Sequence, residues 1–290
     1  MRIALLGSNG QLGRDLQAQL TGHELFPLTR QEFDVTDHAR VRSVISALKP
    51  DLVLNTTAYH RVDDCETHAE LAYSVNALAV LNLVRISNDL DAVLVHFSTD
   101  YVFDGETESP YREESIALPL SIYGNSKLAG ETLVRTMARK YFVIRTCGLY
   151  GLAGSRGKGG NFVETMLSKA KNGEPIRVVN DQTLTPTSTL EVARQLAVLL
   201  PTTHYGLFHM TSEAACSWYE FASAIFELSG ITADLSPTTS DLYRTPALRP
   251  RYSVLENAHL KRLGLNRMRH WREGLSDYLD SKTSIASFGG

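Results

Sequence analysis

The chain has 290 residues, 43% of them hydrophobic and 21% charged, with a formal net charge of −3. That size holds one large α/β unit or two domains sharing a cleft, and a charge balance without a basic run interleaved with aromatics gives no reason to expect a nucleic-acid partner. Cys65, Cys147 and Cys216, an odd number without a CxxC pair, argue against a disulfide framework and a zinc ribbon.

Arg2 to Leu6 is already strand-like, so no cleavable leader is expected. No uninterrupted apolar run nears the ~18 residues of a membrane span. A reducing cytoplasm, with no membrane partner, is the expected setting. The first apolar run ends in Gly7-Ser8-Asn9-Gly10-Gln11-Leu12-Gly13, and Leu12, Leu16 and Leu20 then recur at four-residue spacing, which predicts an amphipathic helix. Strand, glycine turn and helix follow in the order of a dinucleotide-binding unit. Gly7, Gly10 and Gly13 allow a tight turn and let backbone approach a pyrophosphate at the helix start. The spacing is GxxGxxG, not the commoner GxGxxG. A second strand is predicted at 24–28, and Arg30 stands where an NAD site normally offers an acid to the ribose. Arginine suits a 2′-phosphate, so NADPH is expected over NADH. The alternative is a solvated loop arginine, with Glu32 serving the ribose.

Asp37 is placed to cap a helix running to Leu48, and 52–55 is the next strand. It feeds the loop Thr56-Thr57-Ala58-Tyr59-His60 at a strand's C-terminal end, where ligands bind in open α/β sheets. His60, Asp63, Asp64, Cys65, Glu66 and His68 crowd together, yet no pair has metal-ligand spacing. Acids there also suit the dipole of the helix predicted at 69–88, and no metal is placed. A buried-type strand at 92–97 delivers Ser98-Thr99-Asp100 to the sheet edge. Tyr123 and Lys127 lie at i and i+4 and share one helix face. An ammonium beside a phenol favours the phenolate, so Lys127 is expected to draw the Tyr123 pKa from ~10 toward the working range. Such a pair suits proton exchange with a carbonyl oxygen, and Thr99 offers that carbonyl a hydroxyl. With a strand at 141–145, strand and helix alternate from residue 2 to 145. The fold class is α/β, a Rossmann-type doubly wound parallel sheet.

Residues 1–150 are expected to form the NAD(P)-binding domain, with a returning stretch near 175–210, and 151–290 mainly a smaller substrate domain. Residues 148–160 hold six glycines with Arg156 and Lys158, in no spacing that makes a P-loop. They form either a mobile loop over the site or a plain linker. Helices at about 161–171, 190–200 and 217–229 alternate with strands at 176–179 and 206–210, the first of which is expected to rejoin the parallel sheet. Beyond 231 short helices and a loose Ser/Gly tail are predicted. Arg249 and Arg251, flanking Pro250, are either a clamp for a diphosphate or plain surface arginines.

The glycine turn, Ser98-Thr99-Asp100-Tyr101-Val102-Phe103, Tyr123-Gly124-x-x-Lys127 followed by Leu128-Ala129-Gly130-Glu131, and Gly160-Asn161-Phe162 together carry a resemblance. So do Asn180-Asp181-Gln182, Pro186-Thr187 and Arg249-Pro250. Over essentially its whole length the chain resembles the extended short-chain dehydrogenase/reductase superfamily and, within it, the dTDP-4-dehydrorhamnose reductases. The resemblance implies reduction of a 4-keto-6-deoxy nucleotide sugar by NADPH (or NADH). Tyr123 is then the proton donor, Lys127 its partner on the nicotinamide ribose, and Thr99 the carbonyl's hydrogen-bond donor. Cofactor contacts are implied for Gly10, Gln11, Leu12, Arg30, Asp34, Val35, Ala58, Tyr59, His60 and Phe97. Val62, Thr99, Asp100, Asn161 and Arg249 are implied on the sugar side. Gly148 stands where that family often carries a tryptophan packed on the sugar, so stacking must be looser or come from another side chain. Tyr101 replaces the acid a 4,6-dehydratase would need. Another nucleotide-sugar reductase or epimerase/reductase, or a non-catalytic NADP-binding regulatory subunit, remains the alternative. Relatives carry magnesium at a dimer contact, but no ligand set here places it, and the sequence is silent on a homodimer.

Overall fold

The computed structural model describes residues 1–153 and 160–288. The first half contains β1 (Arg2–Leu6), α1 (Gln11–Gln19), β2 (Glu24–Leu28), α2 (His38–Leu48), β3 (Leu52–Asn55) and the single turn α3 (Val62–Cys65). Next come α4 (Ala69–Tyr73), a π-helical turn Ser74–Leu78, α5 (Ala79–Asp89), β4 (Val93–Thr99), α6 (Ile122–Met137) and β5 (Tyr141–Thr146). The remainder contains β6 (Leu149–Tyr150), α7 (Phe162–Lys171), β7 (Ile176–Val179), β8 (Thr183–Leu184), β9 (Thr187–Ser188) and α8 (Thr189–Leu199). It closes with β10 (Gly206–His209), β11 (Cys216–Ser217), α9 (Trp218–Ser229), β12 (Leu235–Thr238), α10 (Ala258–Arg262) and α11 (Trp271–Phe288).

Six parallel strands form the central sheet in the order β2-β1-β3-β4-β5-β10. Both faces are covered, which is why β3, β4 and β5 read as near-continuous apolar runs instead of alternating ones. On one face Leu12, Leu16 and Leu20 pack with Val192, Leu196 and Leu199 of α8 over Ile3, Leu54 and Phe142. On the other, Val41, Ile45, Val80, Leu83, Ile86 and Val134 from α2, α5 and α6 cover Ala4, Val53 and Val143. A third core joins α7, α9 and α11 around Phe221, Trp271 and Tyr150.

The helix predicted at 69–88 is one continuous rod interrupted by the π-helical turn. From Ala69 to Asp89 its length and hydropathy would let it cross a membrane, but Val80, Leu83, Val84 and Ile86 are buried against the sheet. Asp37 caps α2 by accepting from the Arg40 amide.

Two expectations are corrected. The strand at 176–179 does not rejoin the parallel sheet: β7 pairs with β12 in a separate two-stranded ribbon, and β10 occupies the sheet edge beside β5. An apolar run carries no record of its partner, and β7 lies against the third core through Ile176 and Val178. The C-terminal segment ends not in short helices alone but in the 18-residue α11, whose Trp271, Leu275, Tyr278 and Leu279 complete that core. Arg156 and Lys158, of the stretch read as either a mobile loop or a plain linker, lie outside the described residues.

Candidate active site

A cleft of about 880 Å³ opens at the C-terminal ends of the strands. Strand order reverses across β1, with β2 on one side and β3 on the other, and such a switch point leaves a crevice between divergent loops. The glycine turn forms one end. Gly7 has φ +76°, and its amide donates to the Leu28 carbonyl at 3.0 Å, tying the turn to β2. A Cβ on Gly13 would sit 2.4 Å from the Gly7 carbonyl oxygen, so only glycine lets α1 start so close to the turn. The N-cap Gly10 makes no side-chain cap, and no acid occupies the first turn. The positive end of α1 is thus free for an anion. Gly10, Gln11, Leu12 and Gly13 all line the cleft, so the residues present fit a dinucleotide diphosphate.

At the middle of the cleft stand Thr99, Tyr123 and Lys127. The end of β4 presents Thr99, whose hydroxyl donates to Asp100 Oδ1 at 3.0 Å and accepts from the Tyr101 amide at 3.2 Å. Ser121 caps α6 through the Gly124 amide, and Glu66 accepts from the Ile122 amide at 2.9 Å, which fixes the helix start that carries Tyr123. Gly124 must be glycine here, since a Cβ would meet the Tyr101 carbonyl oxygen at 2.2 Å. Lys127 is 2% exposed, and its Nζ donates to the Phe97 carbonyl at 2.5 Å.

The expected effect of Lys127 on the phenol is corrected. Burial pushes the Tyr123 phenol up; a hydrogen bond with Thr99 pulls it partly back, while Asp100 and Cys65 raise it further. Burial also lowers Lys127 to about 8, partly offset by the buried Glu131 one turn further along α6. Lys127 is not among the groups that shift the phenol, its ammonium being turned to the Phe97 carbonyl, and desolvation dominates both residues because they lie in protein rather than water. Glu131 is held by Arg145 through bonds of 2.6 and 2.9 Å. Burial, and then the charge of Lys127, keep His96 neutral beneath the helix.

The lining also includes Val62, Asp63, Tyr101, Tyr243 and Arg249, and from the second half of the chain Asn161, Phe162 and Trp218. Arg249 lines the cleft, but its guanidinium grips Asp63 at 2.9 and 3.1 Å. Arg251 is exposed and outside the lining, so the two arginines form no paired clamp. Gly148 lies in the cleft at φ +55°, where a side chain would be strained and would meet Leu184 at 2.9 Å. The Asn161 side chain caps α7 and bonds within the chain to Gln11 and Gly151.

Among the remaining sequence-predicted positions, Ala58, His60, Phe97 and Asp100 line the cleft. Arg30, Asp34 and Val35 lie just past β2 and outside the lining. Arg30 is exposed and 3.4 Å from Asp34, while Glu32 turns back onto the Thr29 amide and hydroxyl. Tyr59 is held through both its amide and its carbonyl by Asn76, which also donates to Ser126 at 2.9 Å. Sequence reasoning missed Asn76, one of several polar residues in the helix predicted at 69–88 and unmarked by any local motif. Among the described residues no group of three or more His, Cys, Asp or Glu could hold a metal, and magnesium gains no support.

The family profile of the RmlD substrate binding domain matches residues 1–284. The spore coat polysaccharide biosynthesis protein SpsK of Bacillus subtilis (strain 168) is 39% identical over 98% of this chain and 98% of its own. A solved dTDP-4-dehydrorhamnose reductase from Clostridium acetobutylicum ATCC 824 superposes with a TM-score of 0.93 at 41% identity, covering 98% of this chain and 100% of the other. That of Bacillus anthracis str. Ames, solved in complex with NADP, gives a TM-score of 0.92 at 35% identity over 97% and 99%. With the glycine turn, the Thr99–Tyr123–Lys127 group and this full-length likeness in one molecule, the chain belongs to the dTDP-4-dehydrorhamnose reductase family of short-chain dehydrogenase/reductases.

Proposed function

We propose that this protein reduces the 4-keto group of dTDP-4-dehydro-L-rhamnose to give dTDP-L-rhamnose, with NADPH as reductant. The observation that carries this reading is the convergence of Thr99, Tyr123 and Lys127 on one cleft whose far end is an uncapped helix start. The glycine turn, through Gly10, Gln11, Leu12 and Gly13, would hold NADPH, which would supply the hydride for the keto carbon. Tyr123 is protonated at neutral pH because burial raises its pKa, which is the state a donor requires. As the carbonyl π bond breaks, Tyr123 passes its proton to the oxygen and Thr99 steadies that oxygen by hydrogen bonding. Lys127, charged below about pH 8, offsets the phenolate left behind. Gly10, Gln11, Leu12, Ala58, His60 and Phe97 are the cofactor side of this reading, and Val62, Asp100, Asn161 and Arg249 the sugar side. Arg30, exposed beside the end of β2, is placed to meet a 2′-phosphate by moving away from Asp34.

The test is an assay against a panel of nucleotide keto-sugars with both reductants. NADPH consumption on addition of the dTDP-keto-sugar, with higher kcat/KM than for NADH, is expected. Absence of turnover on every keto-sugar would remove the assignment, and a clear NADH preference would remove the role of Arg30.

A further inference from the structure

Gln11 stands in the glycine turn, yet its side-chain oxygen is spent elsewhere. It accepts from the Gly151 amide at 2.9 Å and from Asn161 Nδ2 at 3.1 Å, 140 and 150 positions away. Asn161 in turn donates to the Gly151 carbonyl at 3.0 Å, and its Oδ1 accepts from the Glu164 amide at 3.0 Å to start α7. One turn along the same face of α1, Asp15 accepts from the Thr189 hydroxyl. Gly151 is pressed into this junction so closely that a Cβ would meet Thr189 Oγ1 at 2.0 Å. The helix whose first amides face the dinucleotide diphosphate is therefore fastened by side chains to the segment that walls the other half of the cleft. Gln11 is the link nearest the anion site, and a glutamine oxygen accepting two N–H donors is fixed in direction.

We infer that Gln11 is a positioning residue that carries occupancy of the glycine turn across to the substrate wall, ordering Gly151 and the first turn of α7 when a dinucleotide binds. The inference rests on the reading of the glycine turn as the dinucleotide site. It does not need the keto-sugar, so its fate and that of the proposed substrate can be read separately.

The test is amide hydrogen exchange of the full chain with and without NADPH. Binding should slow exchange in 148–153 and 162–165 by about fivefold or more, the low end of ordinary coupling between sites. Gln11→Met keeps the side-chain length but loses the acceptor; compared at NADPH concentrations that saturate each protein, it should lose this slowing. Asn161→Ser, which retains an N-cap for α7 but drops the amide bridge, should lose it as well. A purely structural fastening predicts faster exchange in the variants with and without NADPH alike, and no NADPH-dependent difference in the wild type. That result, or slowing that persists in Gln11→Met, overturns the inference. So does a Gln11→Met protein unable to bind NADPH while Asn161→Ser keeps both binding and slowing, because the side chain would then serve the dinucleotide itself. Turnover of the keto-sugar, measured in parallel, reports on the substrate alone.

Discussion

Burial sets the proton inventory at the centre of the cleft. The Tyr123 phenol is raised and the Lys127 ammonium lowered to about 8, each primarily by desolvation. Tyr123→Phe removes the proposed proton donor and leaves the glycine turn untouched. Its NADPH affinity should stay within about threefold while kcat falls by roughly 100-fold or more, the scale of general acid catalysis, measured by fluorescence titration and steady-state turnover. Wild-type turnover in that variant would end the mechanism. The pH dependence has a definite sign. Lys127 is charged below about pH 8 and neutral above it, whereas Tyr123 holds its proton throughout, so kcat/KM for reduction should fall about tenfold per unit above that value. A profile flat to pH 10 would show that the lysine charge is not needed. Tyr123, Lys127 and Thr99 were legible because each sits in a local pattern: helical spacing for two, a strand end for the third. The direction of the Tyr123 shift was not legible. It depends on how much protein surrounds the ring, which adjacent residues do not state.

At the scale of elements, the helix carrying the tyrosine and lysine is located by close backbone contacts. A Cβ on Gly130 would lie 2.0 Å from the Asn76 carbonyl oxygen of the π-helical turn, so α6 and that turn touch main chain to main chain. π-Helical turns of this kind are frequent at functional sites, and here the turn aims Asn76 at both polar groups of the Tyr59 peptide. Gly130→Ala should therefore destabilise by about 1–3 kcal/mol through overpacking, read from urea unfolding. It should also lower NADPH affinity by displacing Asn76 from Tyr59. Unchanged stability would mean that the two helices separate without cost. The sequence placed a helix at 69–88 and another carrying Tyr123 and Lys127, but a π-helical turn adds one residue without altering composition, so its position could not be read. The mistaken partner for β7 has the same origin: strand propensity is local, and pairing is not.

At the scale of the molecule, the cleft exists because one sheet and a separate three-helix core meet along the ends of β1, β3, β4 and β5. Ligand contacts at the glycine turn therefore stabilise the folded chain as a whole. Saturation with NADPH at about 100 times its dissociation constant adds about 2.7 kcal/mol. For a chain of this length that should raise Tm by about 4–5 °C, measured by calorimetry, with NADH giving a smaller rise at equal concentration. No shift with either nucleotide would contradict a dinucleotide site.

The sequence by itself determined what depends on neighbours along the chain. These are the strand–glycine–helix opening, the alternation of strands and helices through residue 145, the shared face of Tyr123 and Lys127, and the cap at Asp37. Each follows from backbone sterics or helical period over a few residues. Tertiary structure alone decided what depends on residues distant in the chain: the grip of Arg249 on Asp63, 186 positions apart, the bond from Gly151 back to Gln11, and the place of β10 rather than β7 at the sheet edge. It also decided the proton affinities, because desolvation is a property of the packed interior that only the assembled fold creates.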